Sequence, residues 1–181
     1  DFNLTPRSPR ETGAGSISGR VLDQTDSSGI RAHVIGVRKD PLGHFTGFAS
    51  ISESDSTGFY HLDSLPQGYY VVLARGKDDF LPTFYTTTGG TPFADSATTL
   101  FVNDNALTGI DFYVPEDSAE GMNDISGEVE SEHGGLHTPS AVNPLGGVIV
   151  IVEDLQHRVA GSAITQNDGS YQVPGLASGD Y

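Results

Sequence analysis

Apolar and polar residues alternate in Ile17-Ser18-Gly19-Arg20-Val21, in Phe59-Tyr60-His61-Leu62 and in Ile110-Asp111-Phe112-Tyr113-Val114. A period of two is what a half-buried β-strand imposes, because successive side chains point to opposite faces of the sheet. No stretch sustains helical periodicity. Val148-Ile149-Val150-Ile151-Val152 is an unbroken β-branched run and Tyr69-Tyr70-Val71-Val72-Leu73-Ala74 is nearly one, which suits strands near the middle of a sheet. Between the runs lie turn clusters: Asp55-Ser56-Thr57-Gly58, Leu65-Pro66-Gln67-Gly68 and Asn167-Asp168-Gly169. Short strands punctuated every 8–12 residues or so predict an all-β sandwich or barrel.

The pattern also repeats. Ile17-Ser18-Gly19-Arg20-Val21 returns 108 residues later as Ile125-Ser126-Gly127-Glu128-Val129. Gly58-Phe59-Tyr60-His61-Leu62 returns 111 residues later as Gly169-Ser170-Tyr171-Gln172-Val173, and Leu65, Gly68 and Tyr70 return as Leu176, Gly179 and Tyr181. A longer Gly/Pro/His-rich segment from 132 to 147 and a shorter hairpin after Val152 account for the difference of three, since loops tolerate length changes that a core does not. Asp1-Phe2-Asn3-Leu4-Thr5-Pro6 matches Asp111-Phe112-Tyr113-Val114-Pro115. The expected organisation is the last strand of a preceding repeat at 1–6, a linker at 7–15, a complete sandwich at 16–115, a linker at 116–123 and a partial second sandwich at 124–181. A broken sandwich exposes unpaired strand edges, so the sequence reads as a window on a longer array, or as a fragment that neighbouring chains complete.

Composition narrows the class. The 181 residues carry 24 acidic and 9 basic side chains, a formal charge of −15, with no Cys and no Trp. Without Cys there is no disulfide and no thiolate chemistry. No apolar run approaches the ~20 residues of a membrane helix, and no Lys/Arg cluster is present to neutralise phosphates, so nucleic acid is not an expected partner. The sequence has no G-x-S-x-G elbow, H-E-x-x-H pair or P-loop, and no enzymatic activity is expected.

The segments Ile17-Ser18-Gly19-Arg20-Val21, Asp55-Ser56-Thr57-Gly58-Phe59-Tyr60, Leu65-Pro66-Gln67-Gly68-Tyr69-Tyr70 and Thr108-Gly109-Ile110-Asp111-Phe112 together resemble the carboxypeptidase regulatory-like, or transthyretin-like (prealbumin-like), domain. The resemblance covers 16–115 completely and 124–181 in part. It implies tandem Greek-key sandwiches of about seven strands (transthyretin-like or Ig-like) that serve secreted and surface proteins as spacer, adhesive or accessory modules. A related group of surface domains forms a Lys to Asn/Asp isopeptide staple. Here only Lys39 and Lys77 are available, neither in a first strand. The zinc motif of the peptidase that names the family begins His-x-x-Glu, and none of the six His starts one.

Four kinds of candidate site remain. Asp55, Asn167 and Asp168 supply hard oxygen ligands of the type calcium takes, on turns that are also ordinary hairpin turns. Asn3-Leu4-Thr5 is a glycosylation sequon, and Thr86, Thr87 and Thr88 form a Thr-rich loop open to sugar attachment. His133 and His137 stand four apart, but the intervening glycines oppose a helix that would aim both rings at one metal. Tyr69, Phe80, Phe84, Tyr85 and Phe93 cluster near the Thr-rich block, placed for core or inter-repeat packing, or for stacking on surface glycans. The reading that unites these features is a structural segment of a microbial extracellular or cell-surface protein. Its partners would be neighbouring repeats or copies of itself in a stalk or fibre, joined by strand addition where edges are open. The alternative is a carbohydrate- or protein-binding adhesin or accessory module of a secreted hydrolase.

Overall fold

A computed structural model describes residues 12–76, 80–116, 121, 123–131 and 143–181. The chain is all-β. Its strands are β1 (Gly15–Asp23), β2 (Ala32–Lys39), β3 (Phe45–Glu53), β4 (Phe59–Leu65), β5 (Gly68–Gly76), β6 (Thr83–Thr86), β7 (Gly89–Thr91), β8 (Leu100–Val102), β9 (Ala106–Leu107) and β10 (Phe112–Val114). They are followed by β11 (Asn123–Glu128), β12 (Glu130–Ser131), β13 (Asn143–Pro144), β14 (Ile149–Glu153), β15 (Val159–Ile164) and β16 (Ser170–Leu176). One 3-10 turn, Ala94–Ser96, interrupts them. Among the described residues no helix is long and apolar enough to cross a membrane.

Two sheets face each other in the first half. One has the order β10-β1-β4, with β9 also on β1; the other runs β3-β2-β5-β6-β7, with β8 on β5. The block from Thr83 to Val102 adds three short strands to the second sheet, which puts β5 in its middle as the Tyr69–Ala74 run predicts. Ile17, Val21, Val34, Leu62, Val72 and Phe112 are fully buried between the sheets, and every fully buried member of this core lies between residues 17 and 114. Tyr60 and Tyr85 set their rings against Phe112 at centroid distances of 5.9 and 5.8 Å. The Tyr60 hydroxyl donates to the Ile110 carbonyl at 2.7 Å, and burial raises its pKa far above the usual phenol value. Gly19 is required at its place on β1, because a Cβ there would meet the Ile110 carbonyl oxygen at 2.1 Å.

In the second half β11 pairs with β16, β14 with β15 and β12 with β13. A smaller core gathers Val152, Ala163, Val173 and Leu176. The register of β11 on β16 matches that of β1 on β4. Ile17 faces Leu62 and Gly19 faces Tyr60, with a bulge between Gly15 and Ile17. Ile125 faces Val173 and Gly127 faces Tyr171, with a bulge between Asn123 and Ile125.

The hydrogen bonds that lock loops to strands also occur twice. Val21 N–H donates to Gly58 O at 2.8 Å and Val129 N–H to Gly169 O at 2.9 Å. The Ser54 hydroxyl donates to Ile30 O at 2.7 Å, and the Thr165 hydroxyl to Leu145 O at 2.5 Å. The Tyr70 hydroxyl donates to Pro66 O at 2.7 Å, and that of Tyr181 to Ala177 O at 2.6 Å. Gly58 and Gly169 adopt φ of 79° and 78°, the left-handed conformation that their turn positions call for.

The hairpin between β14 and β15 turns through Asp154–Arg158 just as that between β2 and β3 turns through Asp40–His44. Its shortening therefore lies in the strands: β14 and β15 have 5 and 6 residues against 8 and 9 for β2 and β3.

Candidate functional site

Strand alternation sends Val34, Val72 and Ala74 into the first core and leaves Ile35, Val71 and Leu73 on the opposite face of the same sheet. Those three are nevertheless fully buried, in a cluster that joins Phe84, Ala94 and Ala97 of the first half to Val159 and Ile149 of the second. Val159, at the start of β15, forms one apolar cluster with Ile35, Val71, Leu73 and Phe84, flanked by Val37, Ala94, Ala97 and Ile149. The seat is also polar at its edge. Val159 N–H donates to the Pro92 carbonyl at 2.9 Å, and Phe93 forms a backbone bridge with Arg158. Arg158 is held by Asp154, with Nη2 2.6 Å and Nε 2.7 Å from the carboxylate. Apolar contact and directional bonds together fix the second half of the chain against the first, which a loose linker could not do.

Among the described residues, another row on that face is partly exposed. Lys39 pairs with Phe45 on β3 and with Tyr69 on β5, and Tyr69 pairs with Phe101 on β8. A single row thus crosses four strands. Its ammonium lies 5.0 Å from the Phe45 ring centroid, and the Tyr69 and Phe101 rings are 4.9 Å apart. Phe45, Tyr69 and Phe101 are 47, 40 and 45% exposed.

The candidate calcium ligands sit in turns whose own backbone engages them. Asp55 Oδ1 accepts from the Thr57 hydroxyl at 2.7 Å, from Thr57 N–H at 2.8 Å and from Phe59 N–H at 3.1 Å. Asp168 Oδ1 accepts from the Ser170 hydroxyl at 2.6 Å and from Ser170 N–H at 3.1 Å. Asn167 is exposed beside it. Among the described residues no three His, Cys, Asp or Glu side chains gather closely enough to share a metal.

Thr86 ends β6, half-buried, with its hydroxyl 3.2 Å from that of Thr88; Thr87 and Thr88 are exposed on the turn into β7. Asn3, His133, His137 and Lys77 lie outside the described residues. Of the aromatic candidates, Tyr85 enters the first core, Phe84 the seat and Phe93 its rim, Phe80 packs against the first core, and Tyr69 stays on the open row.

No family model and no curated protein matches the chain. Among solved structures, it is similar to the group B streptococcus pilus 2b backbone protein at 10% identity and a TM-score of 0.36, over 65% of this chain and 46% of that one. It is also similar to the Bacillus anthracis TIE protein at 11% identity and a TM-score of 0.35, over 90% of this chain and 26% of that one. The chain thus spans under half of the first protein's length and about a quarter of the second's.

Five carboxyls, exposed at Asp26, Asp55 and Asp168 and half-buried at Asp40 and Asp154, act as turn caps, and each is held below its usual range. The Thr57 hydroxyl does this for Asp55, the Ser170 hydroxyl for Asp168, the Ser28 N–H for Asp26 and the His44 N–H for Asp40. For Asp154, partial desolvation pushes upward but is outweighed by the Arg158 N–H and guanidinium. A depressed folded-state pKa stabilises above the unfolded value of 3.8 and loses that contribution as pH falls through the folded values. Self-repulsion of the −15 charge acts in the other direction, easing as pH falls toward the pI of 4.4. The melting temperature is therefore expected to hold or rise from pH 7 to about 4.4 and to fall steeply below about 3.8. Circular dichroism melts across this range test it, and a melting temperature still rising at lower pH contradicts the capping role.

Proposed function

We propose that this chain is a structural segment of a microbial extracellular or cell-surface protein, built from transthyretin-like sandwiches in tandem (16–115 and 124–181) that stack into a stalk or fibre. The observation that carries the reading is the buried seat of Val159 on Ile35, Val71, Leu73 and Phe84. A sheet face that is apolar on both sides has a use only if something covers each side, and here Val159 and Ile149 of the neighbouring sandwich cover part of the outer one. The duplicated register and the duplicated loop bonds support a single design used twice. Modules that contact chiefly their neighbours make quasi-one-dimensional objects, and the surplus of negative charge opposes lateral clumping.

Electron microscopy of the native protein tests this. Rods or filaments with an axial repeat of one or two sandwiches are the expected result. Dispersed particles that bind on a glycan array would favour a carbohydrate-binding module instead, a reading to which the exposed Tyr69 and Phe101 rings lend the specific observation.

A further inference from the structure

We propose that the Asp40–Phe45 hairpin is a docking element for another sandwich of the same architecture, with Phe45 in the role that Val159 fills within this chain. The inference rests on the tandem reading and adds to it a specific surface and its partner.

The two hairpins are the same object. In one, Asp40 Oδ1 accepts from Leu42 N–H and His44 N–H, both at 2.9 Å, and Asp40 N–H donates to His44 O at 2.9 Å. In the other, Asp154 Oδ1 accepts from Gln156 N–H at 2.9 Å and Arg158 N–H at 3.0 Å, and Asp154 N–H donates to Arg158 O at 2.9 Å. The second carboxylate oxygen takes the side chain at the last position in both, His44 at 3.0 Å and Arg158 at 2.7 Å. The left-handed residue is Gly43 in one and His157 in the other.

The next residue after each turn is Phe45 or Val159. Both are apolar and sit at the same point of the hairpin, but their surroundings differ: Val159 is 2% exposed in its seat, and Phe45 is 47% exposed. A hairpin that carries an apolar residue at the docking position, covered on one side by the Lys39 ammonium and otherwise half exposed, is a plug without its socket. The open row of Lys39, Tyr69 and Phe101 continues from it toward the seated half of the same sheet face, where Val37 and Val71 already pack against the second sandwich. This chain's own socket is filled by Val159, so the partner is a further sandwich that offers an equivalent outer sheet. Lys39 is a cation on a chain of charge −15, which suits an acidic neighbour of the same kind.

The absence of cysteine makes a labelling test direct. Phe45→Cys and Val159→Cys are made singly in the 181-residue chain. Phe45→Cys is also made in a longer chain in which residues 12–122 precede residue 15, which preserves the spacing between sandwiches; the Phe45 replaced is the downstream one. The first core closes on residues of its own sandwich, so the added copy carries a complete core.

Maleimide labelling should be fast at Phe45→Cys in the 181-residue chain, and slower by about tenfold or more both there at Val159→Cys and in the longer chain at Phe45→Cys. As a second measurement, Phe45→Asp should lower the melting temperature of the longer chain and leave the 181-residue chain unchanged. Fast labelling at Phe45→Cys in the longer chain, with Val159→Cys protected, overturns the docking role and leaves the tandem reading standing. Fast labelling at Val159→Cys in a folded chain overturns both.

Discussion

Phe112→Ala is expected to lower the stability of the first sandwich by about 3–5 kcal/mol, the range for truncating a buried aromatic. The ring is fully buried, and it is the one against which both Tyr60 and Tyr85 pack. It also lies on a strand of only three residues, β10, which pairs with β1 through Val21, Leu22 and Asp23. So short a strand has little of its own to hold it, and its register depends on Phe112 and Val114 reaching the core. Loss of the ring leaves a cavity between two tyrosines that cannot collapse without moving the Ile110 carbonyl to which Tyr60 donates. Urea unfolding of the variant and the parent measures the effect, and a loss under about 1 kcal/mol contradicts this assignment of the core.

Val159→Asp is expected to separate the two halves of the chain. The substitution puts an unpaired carboxylate among Ile35, Val71, Leu73 and Phe84, at a cost of roughly 3 kcal/mol or more if the contact is kept. The chain can avoid that cost by undocking, which exposes the seat and surrenders the Val159 bond to Pro92 O. Calorimetry should show the second half melting earlier and apart from the first, whereas the parent melts with the two coupled. Val159→Ala should act in the same direction and more weakly. An unchanged endotherm for Val159→Asp would mean that the seat contributes nothing to cohesion.

What could be read from the sequence followed strand alternation and turn chemistry. Ile17–Val21, Phe59–Leu62 and Phe112–Val114 each have one face on a core, so a period of two marks them, and Gly58 and Gly169 sit where the turns require a positive φ. The seat escaped because it obeys neither signal. Val148–Val152 reads as a strand flanked by others within a sheet, yet among the described residues β14 pairs with β15 alone. Its run is unbroken because Val152 faces the second core while Ile149 packs on the outer sheet face of the first half.

Val159 carried no mark at all. Between Asp40–His44 and Asp154–Arg158 only the aspartate is the same residue, since a side-chain cap and one left-handed residue suffice to build the turn and the rest is free to vary. The Thr-rich block read as irregular because β6, β7 and β8 have only four, three and three residues, too few to show a period.

One feature of the first sandwich bears on how such a protein would respond to being pulled. β1 and β10, its first and last core strands, run parallel and are hydrogen-bonded side by side. Tension entering through one and leaving through the other drags them past each other along their length. The bonds between them are then loaded together in shear, rather than one after another as in an antiparallel hairpin unzipped from its open end. Resistance to stretch would therefore be set by this short parallel patch and by the buried Phe112 and Val114 behind it, the same residues that decide whether the sandwich folds.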